Sequence, residues 1–214
     1  MAESPALVAT PDPVAELIGI GREFHGRSWS LGTSSNYSVV TGRDPIQITI
    51  TGSGFDKGRL TPADFVVVDA HGRPVSSGGP RPSAETLLHA LLVRAAGAGA
   101  VLHTHSICAT VLSEIHASAG RLSISGYEML KGLAGVTTHE TCVDIAIVPN
   151  TQDIAALAAD LEPRVSGPSP EIRHGFLMAG HGLYTWGRDL AEARRHLEVL
   201  EFLFEVLARK RQLQ

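Results

Sequence analysis

Three histidines in this sequence stand where their side chains could hold one metal ion. His103 and His105 are one residue apart at the end of an apolar run, and in an extended strand residues i and i+2 project to the same face. His181 follows a second apolar run and lies between Gly180 and Gly182, which permit a sharp turn and a close backbone approach. A His-x-His pair alone also fits two polar residues at a strand end. With His181 added, three neutral imidazoles and one open position form the ligand set of a catalytic zinc site.

Two glutamates are candidates for moving a proton beside such a metal ion. Glu85 lies in the first turn of a predicted helix, where an acid also complements the helix dipole. Glu128 lies at the start of a short helical turn closed by Gly132, where a solvated acid is equally ordinary. Composition and spacing leave the choice between the two acids open. The remaining histidines lack a comparable setting, so we expect solvated or core positions for His25, His71, His89, His116, His139, His174 and His196.

Two polar turns could bind a small anion such as a phosphate group. One runs from Gly32 to Asn36 and the other from Thr51 to Gly54, and both supply hydroxyls and backbone N–H groups. Lys57 and Arg59 follow the second turn. Ser83 precedes the predicted helix that carries Glu85 and could add another hydroxyl at a helix N-terminus. Each turn is weak on its own, because ordinary turns also use Gly, Ser and Thr.

The composition limits the class of protein. With 214 residues, 43% hydrophobic and 19% charged, the chain fits one domain over residues 1–214, with residues 1–11 as a flexible tail. The formal charge of −4 argues against general nucleic-acid binding, and Arg94 interrupts the longest apolar run, so we expect neither a nucleic-acid nor a membrane partner. The first residues do not resemble a signal peptide, and two cysteines do not suggest a disulfide framework. These features predict a cytoplasmic address.

The spacing of apolar residues predicts helices and strands in alternation. Helices are expected from Pro13 to about His25, from Glu85 to Ala96 with Ser83 as the cap, from Ser106 to His116, from Thr151 to about Leu161, and from Asp189 onward. Strands are expected near residues 37–40, 46–50, 65–69, 100–103, 122–124, 145–148 and 176–178, the last being the final strand. Strands before, between and after helices predict an α/β or α+β sandwich with no internal repeat.

The chain resembles the class II aldolases and their relatives in five segments that occur in the same order. These are Gly-Thr-Ser-Ser-Asn at 32–36, Thr-Gly at 51–52, Pro-Ser-Ala-Glu at 82–85, His-Thr-His-Ser at 103–106 and Gly-His-Gly-Leu at 180–183. Within that superfamily, Gly-Tyr-Glu-Met-Leu-Lys-Gly at 126–132 resembles the methylthioribulose-1-phosphate dehydratases of methionine salvage. The resemblance covers roughly residues 12 to 210.

The resemblance implies a layered α/β/α fold around a mostly antiparallel sheet. It also implies a homotetramer with sites near subunit boundaries, and one Zn²⁺ per subunit on His103, His105 and His181. In the dehydratases the acid that matches Glu128 transfers the proton, while in the aldolases the acid that matches Glu85 is the catalytic one. We therefore expect Glu128 as the catalytic residue and Glu85 as a substrate-binding residue. Asn36 is a further expected substrate-binding residue. The family's phosphate pocket matches Thr51, Gly52 and Ser83, but Ala84 replaces a serine common in the aldolases.

The activity implied by this resemblance is the zinc-dependent dehydration of 5-methylthioribulose 1-phosphate to 2,3-diketo-5-methylthiopentyl 1-phosphate. The expected partner is therefore a small sugar-phosphate substrate. One alternative is a sugar-phosphate aldolase or epimerase with the same metal, against which the segment around Glu128 speaks. Another is a non-catalytic adducin-like module. Loss of the three histidines would mark that module, and all three are present.

Overall fold

The computed structural model describes residues 12–213, so the expected tail over residues 1–11 lies outside the described part of the chain. The helices are α1 (Pro13–Gly26), α2 (Thr86–Ala95), α3 (Ile107–Ile115), α4 (Ile154–Val165) and α5 (Leu190–Gln212). The strands are β1 (Asn36–Arg43), β2 (Ile46–Thr51), β3 (Phe65–Asp69), β4 (Ala100–Thr104), β5 (Arg121–Ile124), β6 (Val143–Val148), β7 (Gly175–Met178) and β8 (Gly182–Gly187).

The eight strands form one sheet in the order β3-β2-β1-β4-β8-β7-β6-β5. Neighbouring strands are antiparallel except for β6 and β7, which are parallel. One face of the sheet packs in a core with α1, α3 and α5, and the other face packs in a second core with α2 and α4. Helices on both faces of a mostly antiparallel sheet confirm the predicted α/β/α sandwich.

The prediction that residues 176–178 form the final strand is wrong. β8 follows β7 after a short turn and pairs with both β4 and β7 in the middle of the sheet. All six of its residues are buried, so the strand shows no alternation of apolar and polar positions. The polar groups of Tyr184 and Thr185 also interrupt the apolar run, which made the strand harder to recognise from the sequence.

Two predicted helix caps also differ from the structure. Glu85, not Ser83, precedes the first residue of α2, and the Ser83 hydroxyl accepts a hydrogen bond from the Glu85 amide at 3.3 Å. Asp153, not Thr151, caps α4, and the Thr151 hydroxyl accepts from the Asp153 amide at 3.0 Å. In both cases the hydroxyl stabilises a turn just before the helix, which is the local alternative to capping it.

The ends of several elements meet where β4 ends, at what we call the metal edge of the sheet. His103 in β4 pairs with Asn36 at the beginning of β1 and with Tyr184 near the beginning of β8. β2 ends at the same edge, because it runs antiparallel to β1. None of the helices formed by residues 12–213 is both long enough and apolar enough to cross a bilayer.

Candidate metal centre

The three predicted metal ligands converge at the metal edge. The Nε2 atoms of His103 and His105 are 2.7 Å apart, and those of His105 and His181 are 3.2 Å apart. All three ligand atoms lie within 4.8 Å of one another. The two-residue period of a strand brings the first pair to one face, and the turn between β7 and β8 brings the third.

Two of the rings are oriented by bonds to their other nitrogen. His103 Nδ1 donates to the Leu183 carbonyl at 2.8 Å, and this ring stacks on Tyr184 with centroids 3.9 Å apart and 13° between the planes. His181 Nδ1 lies 3.4 Å from the side-chain oxygen of Asn150. When the proton is on Nδ1, the Nε2 lone pair is free to bind a metal.

The electrostatic setting of these rings fits a cation. Burial lowers the pKa of His103 well below its ordinary value and lowers the pKa of His105 to about 4, so both rings are neutral near pH 7. Neutral imidazoles with converging lone pairs repel one another unless a proton or a cation lies between them. The donor set therefore fits a divalent transition metal with three histidine ligands.

Glu85 is the carboxylate that contacts this centre in the described part of the chain. Its Oε1 lies 3.3 Å from His181 Nε2, and its Oε2 lies 3.9 Å from His103 Nε2. Oε2 also accepts a hydrogen bond from Asn36 Nδ2 at 2.6 Å. With 18% of its side chain exposed, Glu85 can meet a bound molecule.

The glycines on either side of His181 have separate roles. Gly180 has a φ of +64°, a conformation that L-residues with side chains rarely adopt, so it forms the turn. Gly182 packs against β4, where a Cβ atom would lie 2.0 Å from the Thr104 carbonyl oxygen. The close approach of β8 to β4 thus places His181 beside the other two histidines.

Two polar cavities adjoin the histidines and share Ser53, Ser83 and Glu85 in their walls. The smaller, of about 120 Å³, is lined by hydroxyl-bearing residues of the turn at 33–35, by Asn36 and by His105. The larger, of about 400 Å³, extends past His181. Its other lining residues include Arg81, Thr151, Gln152 and Ile154. Together the cavities offer hydroxyls, a cation and one carboxylate beside the metal ligands.

The predicted anion-binding residues lie at different depths. Asn36, Gly52 and Ser83 line the smaller cavity, whereas the buried Thr51 hydroxyl accepts a hydrogen bond from the Tyr37 amide at 3.2 Å. The Gly52 amide donates to the Asp64 carbonyl, as the Ser53 amide does to the Arg81 carbonyl. Both backbone N–H groups are therefore already bonded within the protein. The second turn contributes the Ser53 side chain to the cavity instead.

Two cations lie near these cavities. Lys57 is buried, and its amine donates to the carbonyls of Phe55 at 2.7 Å and Thr33 at 3.4 Å, which ties the first polar turn to the residue that follows the second. Burial lowers the pKa of Lys57 to about 8. Arg81, which the sequence interpretation did not single out, forms no ion pair with any residue in 12–213. Arg81 is thus free to meet an anion in the larger cavity.

Glu128 lies away from the metal edge of its own chain. β5 is four strands from β4, roughly 19 Å across the sheet, and runs in the opposite direction. Tracing the paired residues across the sheet, the end of β5 lies level with Ala100 at the beginning of β4, and Glu128 follows that end. Its side chain is 67% exposed and forms ion pairs with Lys131 and with His139 at 3.1 Å. The Lys131 ammonium holds the pKa of Glu128 below its usual range.

Histidines outside the metal centre are less isolated than the sequence suggested. His89 is fully buried and its Nε2 contacts the Asn36 side-chain oxygen, so it belongs to the surroundings of the centre. His89 could have been recognised in the sequence by its four-residue spacing from Glu85, because this spacing places both residues on one side of a helix. His174 and His196 are neighbours, with ring centroids 5.5 Å apart, and His139 pairs with Glu128.

Comparison with known proteins agrees with this geometry. The profile of the class II aldolase and adducin N-terminal domain family matches residues 15–208. A methylthioribulose-1-phosphate dehydratase of Xanthomonas campestris pv. campestris is 50% identical over 189 residues, which cover 87% of this chain and 84% of the relative. One of Sorangium cellulosum is 47% identical, with 89% of each chain covered.

Among solved structures, an L-fuculose 1-phosphate aldolase superposes with a TM-score of 0.74 at 25% identity, covering 96% of this chain and 89% of the other. That structure shares the sheet and its flanking helices, whereas the curated relatives share half of the residues over most of the chain. The chain therefore belongs to the class II aldolase and adducin family and, within it, to the methylthioribulose-1-phosphate dehydratases.

Proposed function

We propose that this protein is a metal-dependent hydro-lyase that converts 5-methylthioribulose 1-phosphate to 2,3-diketo-5-methylthiopentyl 1-phosphate, a step of methionine salvage. The names of relatives at 44–50% identity support the substrate and the reaction class. The observation that carries the proposal is the convergence of three imidazoles beside Glu85 and a hydroxyl-lined cavity.

His103, His105 and His181 would hold one Zn²⁺ per chain. When bound, the ion supplies positive charge that polarises the substrate carbonyl at C2 and stabilises the negative charge that develops as the C3 proton leaves. Asn36 keeps one N–H of its amide for a substrate oxygen, and Glu85 can accept a hydrogen bond from a substrate hydroxyl. Hydroxyls of the turn at 33–35 and Arg81 would bind the phosphate and fix the orientation of the chain of carbons.

The dehydration itself needs one group that moves a proton. Removal of the C3 proton and departure of the C4 hydroxyl as water leave an enol, which becomes the 2,3-diketone by proton transfer. We propose that Glu128 is this group. Glu128 follows β5, the outermost strand of the sheet, far from the histidines of its own chain, so it would have to act on the metal centre of a neighbouring copy. Lys131 favours the ionised form of Glu128, which is the form that accepts a proton.

Because Glu128 would act on a neighbouring copy, we propose that the protein is a homotetramer with shared sites. One exposed apolar stripe supports contact between copies. Ile107, Val111 and Ile115 follow each other at four-residue intervals on α3 and are 71%, 42% and 46% exposed. An apolar stripe of this kind is typical of a surface buried between subunits.

The substrate test uses purified, zinc-loaded protein and a panel that contains methylthioribulose 1-phosphate and fuculose 1-phosphate. We expect dehydration of the first, seen as formation of the diketone, and no cleavage of the second. Release of dihydroxyacetone phosphate, detected with a coupled reductase, would instead establish the aldolase that the fold also permits.

The shared-site proposal is tested by mixing two inactive variants, Glu128→Gln and His103→Ala. Mixed particles contain sites that combine native histidines from one chain with a native Glu128 from another, so activity should return. Glu85→Gln mixed with His103→Ala is the matched control. Because Glu85 and His103 belong to one site within one chain, that mixture should stay at the level of its components. Absence of recovery in the first mixture contradicts the role of Glu128 across subunits.

A further inference from the structure

Buried polar side chains behind Glu85 form a continuous chain of hydrogen bonds. Asn36 and Ser38 lie two residues apart on β1, and His89 lies on α2 one turn after Glu85. Ser38 Oγ is 2.7 Å from His89 Nδ1, His89 Nε2 contacts Asn36 Oδ1, and Asn36 Nδ2 is 2.6 Å from Glu85 Oε2. Ser38 and His89 are fully buried, and Asn36 is 4% exposed. The chain ends at the carboxylate that faces the metal-binding histidines.

The direction of every bond follows from the contact at the carboxylate. The Nδ2 atom of Asn36 donates to Glu85 Oε2, so the NH₂ group of Asn36 faces Glu85. The Asn36 oxygen then faces His89 and needs a donor, which must be Nε2–H. Burial lowers the pKa of His89 to about 3, so the ring is neutral with a single N–H, and its Nδ1 accepts from the Ser38 hydroxyl. All three bonds therefore donate toward Glu85.

We propose that His89 is a positioning residue for the reaction: it fixes the side-chain amide of Asn36 and, through that amide, the carboxylate of Glu85. Without the His89 N–H, the amide can turn over and present its oxygen to the carboxylate, which places one acceptor against another. The same rotation would take away the second N–H of Asn36 that we assign to the substrate. The kinetic consequence rests on the proposed function, whereas the hydrogen-bond chain is a property of the folded protein.

The hydrogen-bond chain is tested without any turnover. Nitrogen-15 spectra of the histidine rings in zinc-loaded protein at pH 7 distinguish the two neutral tautomers. We expect His89 in the Nε2–H form, and we expect its Nε2 resonance to shift in Asn36→Ala, where its acceptor is removed. A ring in the Nδ1–H form, or one that does not respond to Asn36→Ala, overturns the inference whether or not the protein dehydrates the substrate.

The kinetic test compares two buried histidines. His89→Leu should lower kcat by roughly ten- to a hundredfold with the metal content unchanged, as expected when a reacting group is misplaced. His89→Gln should restore part of kcat, because its amide N–H can donate to Asn36. His196→Leu is the matched control, since His196 is also buried and bonded through both ring nitrogens, but near the far end of β8. We expect this control to lose thermal stability and to keep its kcat.

A double-mutant cycle then shows whether His89 acts through Asn36. Adding His89→Leu to Asn36→Ala should lower kcat no further than Asn36→Ala alone. Multiplying losses overturn the inference, as do equal losses of kcat in His89→Leu and His196→Leu. If His89→Leu does not fold, Ser38→Ala takes its place in the cycle, because it removes the bond that holds Nδ1 unprotonated.

Discussion

The chemistry of single side chains at the metal edge depends on which ring nitrogen carries the proton. His103 and His181 each have a partner for Nδ1, which leaves the Nε2 lone pair available for the proposed metal ion. The Leu183 carbonyl and the stacked Tyr184 ring hold His103 from two sides, and burial keeps it neutral. Rings held in this way are ready to bind a metal before it arrives.

Metal content should follow these histidines. We expect about one equivalent of zinc per chain in purified protein and a loss of that zinc in His103→Ala and His181→Ala, because two remaining imidazoles bind the ion far more weakly. Elemental analysis of dialysed protein measures it. His71→Ala, which changes an exposed histidine elsewhere, is the control and should keep its zinc. Full zinc occupancy in both site variants would refute the three-histidine centre.

A buried acid on α5 should make stability depend on pH. Glu201 is 2% exposed, accepts a hydrogen bond from the Thr104 hydroxyl at 2.7 Å and leaves its other oxygen without a partner within residues 12–213. Burial raises the pKa of Glu201 from 4.5 to about 7. Between these values the folded protein keeps a proton that the unfolded chain releases, so stability falls as the pH rises through this window.

Replacing this acid should therefore stabilise the protein at high pH. The free energy of unfolding of Glu201→Gln, measured relative to wild type, should rise by about 3 kcal/mol from pH 4 to pH 8. This is the change in stability that a pKa shift of this size produces. Urea unfolding of the metal-free protein at both pH values measures this difference. Glu205→Gln, one turn later on α5 at a half-exposed position, is the comparison variant for a change of charge on the same helix. Parallel pH curves for wild type and Glu201→Gln would show that Glu201 ionises freely.

At the level of secondary-structure elements, the metal centre depends on how closely β8 approaches β4. Gly182→Ala would push its Cβ atom into the Thr104 carbonyl and force β8 away from β4. His181 would then move away from His103 and His105. We expect a loss of about 1–3 kcal/mol of stability, together with weaker zinc binding. Thermal unfolding and zinc titration with a competing chelator measure the two effects.

Gly180→Ala is the matched control for this element. Its φ is +64° and no atom lies within 4 Å of the added Cβ, so the change costs about 1–2 kcal/mol of backbone strain without displacing β4. We expect Gly180→Ala to bind zinc more tightly than Gly182→Ala. The reverse order would mean that the turn, not the strand contact, sets the position of His181.

For the whole molecule, the apolar stripe on α3 should determine the assembly. Ile107→Glu combined with Ile115→Glu places charge on that stripe, and we expect light scattering to report particles smaller than the homotetramer that we propose for wild type. Val75→Glu, at a position that is 50% exposed, is the control and should leave the proposed homotetramer intact. Because Glu128 is proposed to act across subunits, dehydration should fall with particle size. A fully active monomer would rule out a shared site.

Local patterns in the sequence identified the three histidines that converge and predicted the fold class. His103 and His105 share a face because strand residues alternate with a period of two, and His181 stands out through its flanking glycines. The helix stripes and apolar runs likewise predicted most elements of the α/β/α sandwich, since these patterns depend only on neighbours along the chain.

Pairings between distant segments were decided by the tertiary structure alone. The order of strands places Glu85 at the metal edge and Glu128 near the opposite side of the sheet, although in the sequence both acids stood at the start of a predicted helix or helical turn. The same holds for His89, whose partner Asn36 is 53 residues away in sequence. Sheet order and register are set by the burial of whole elements against one another, and no short window of sequence contains that information.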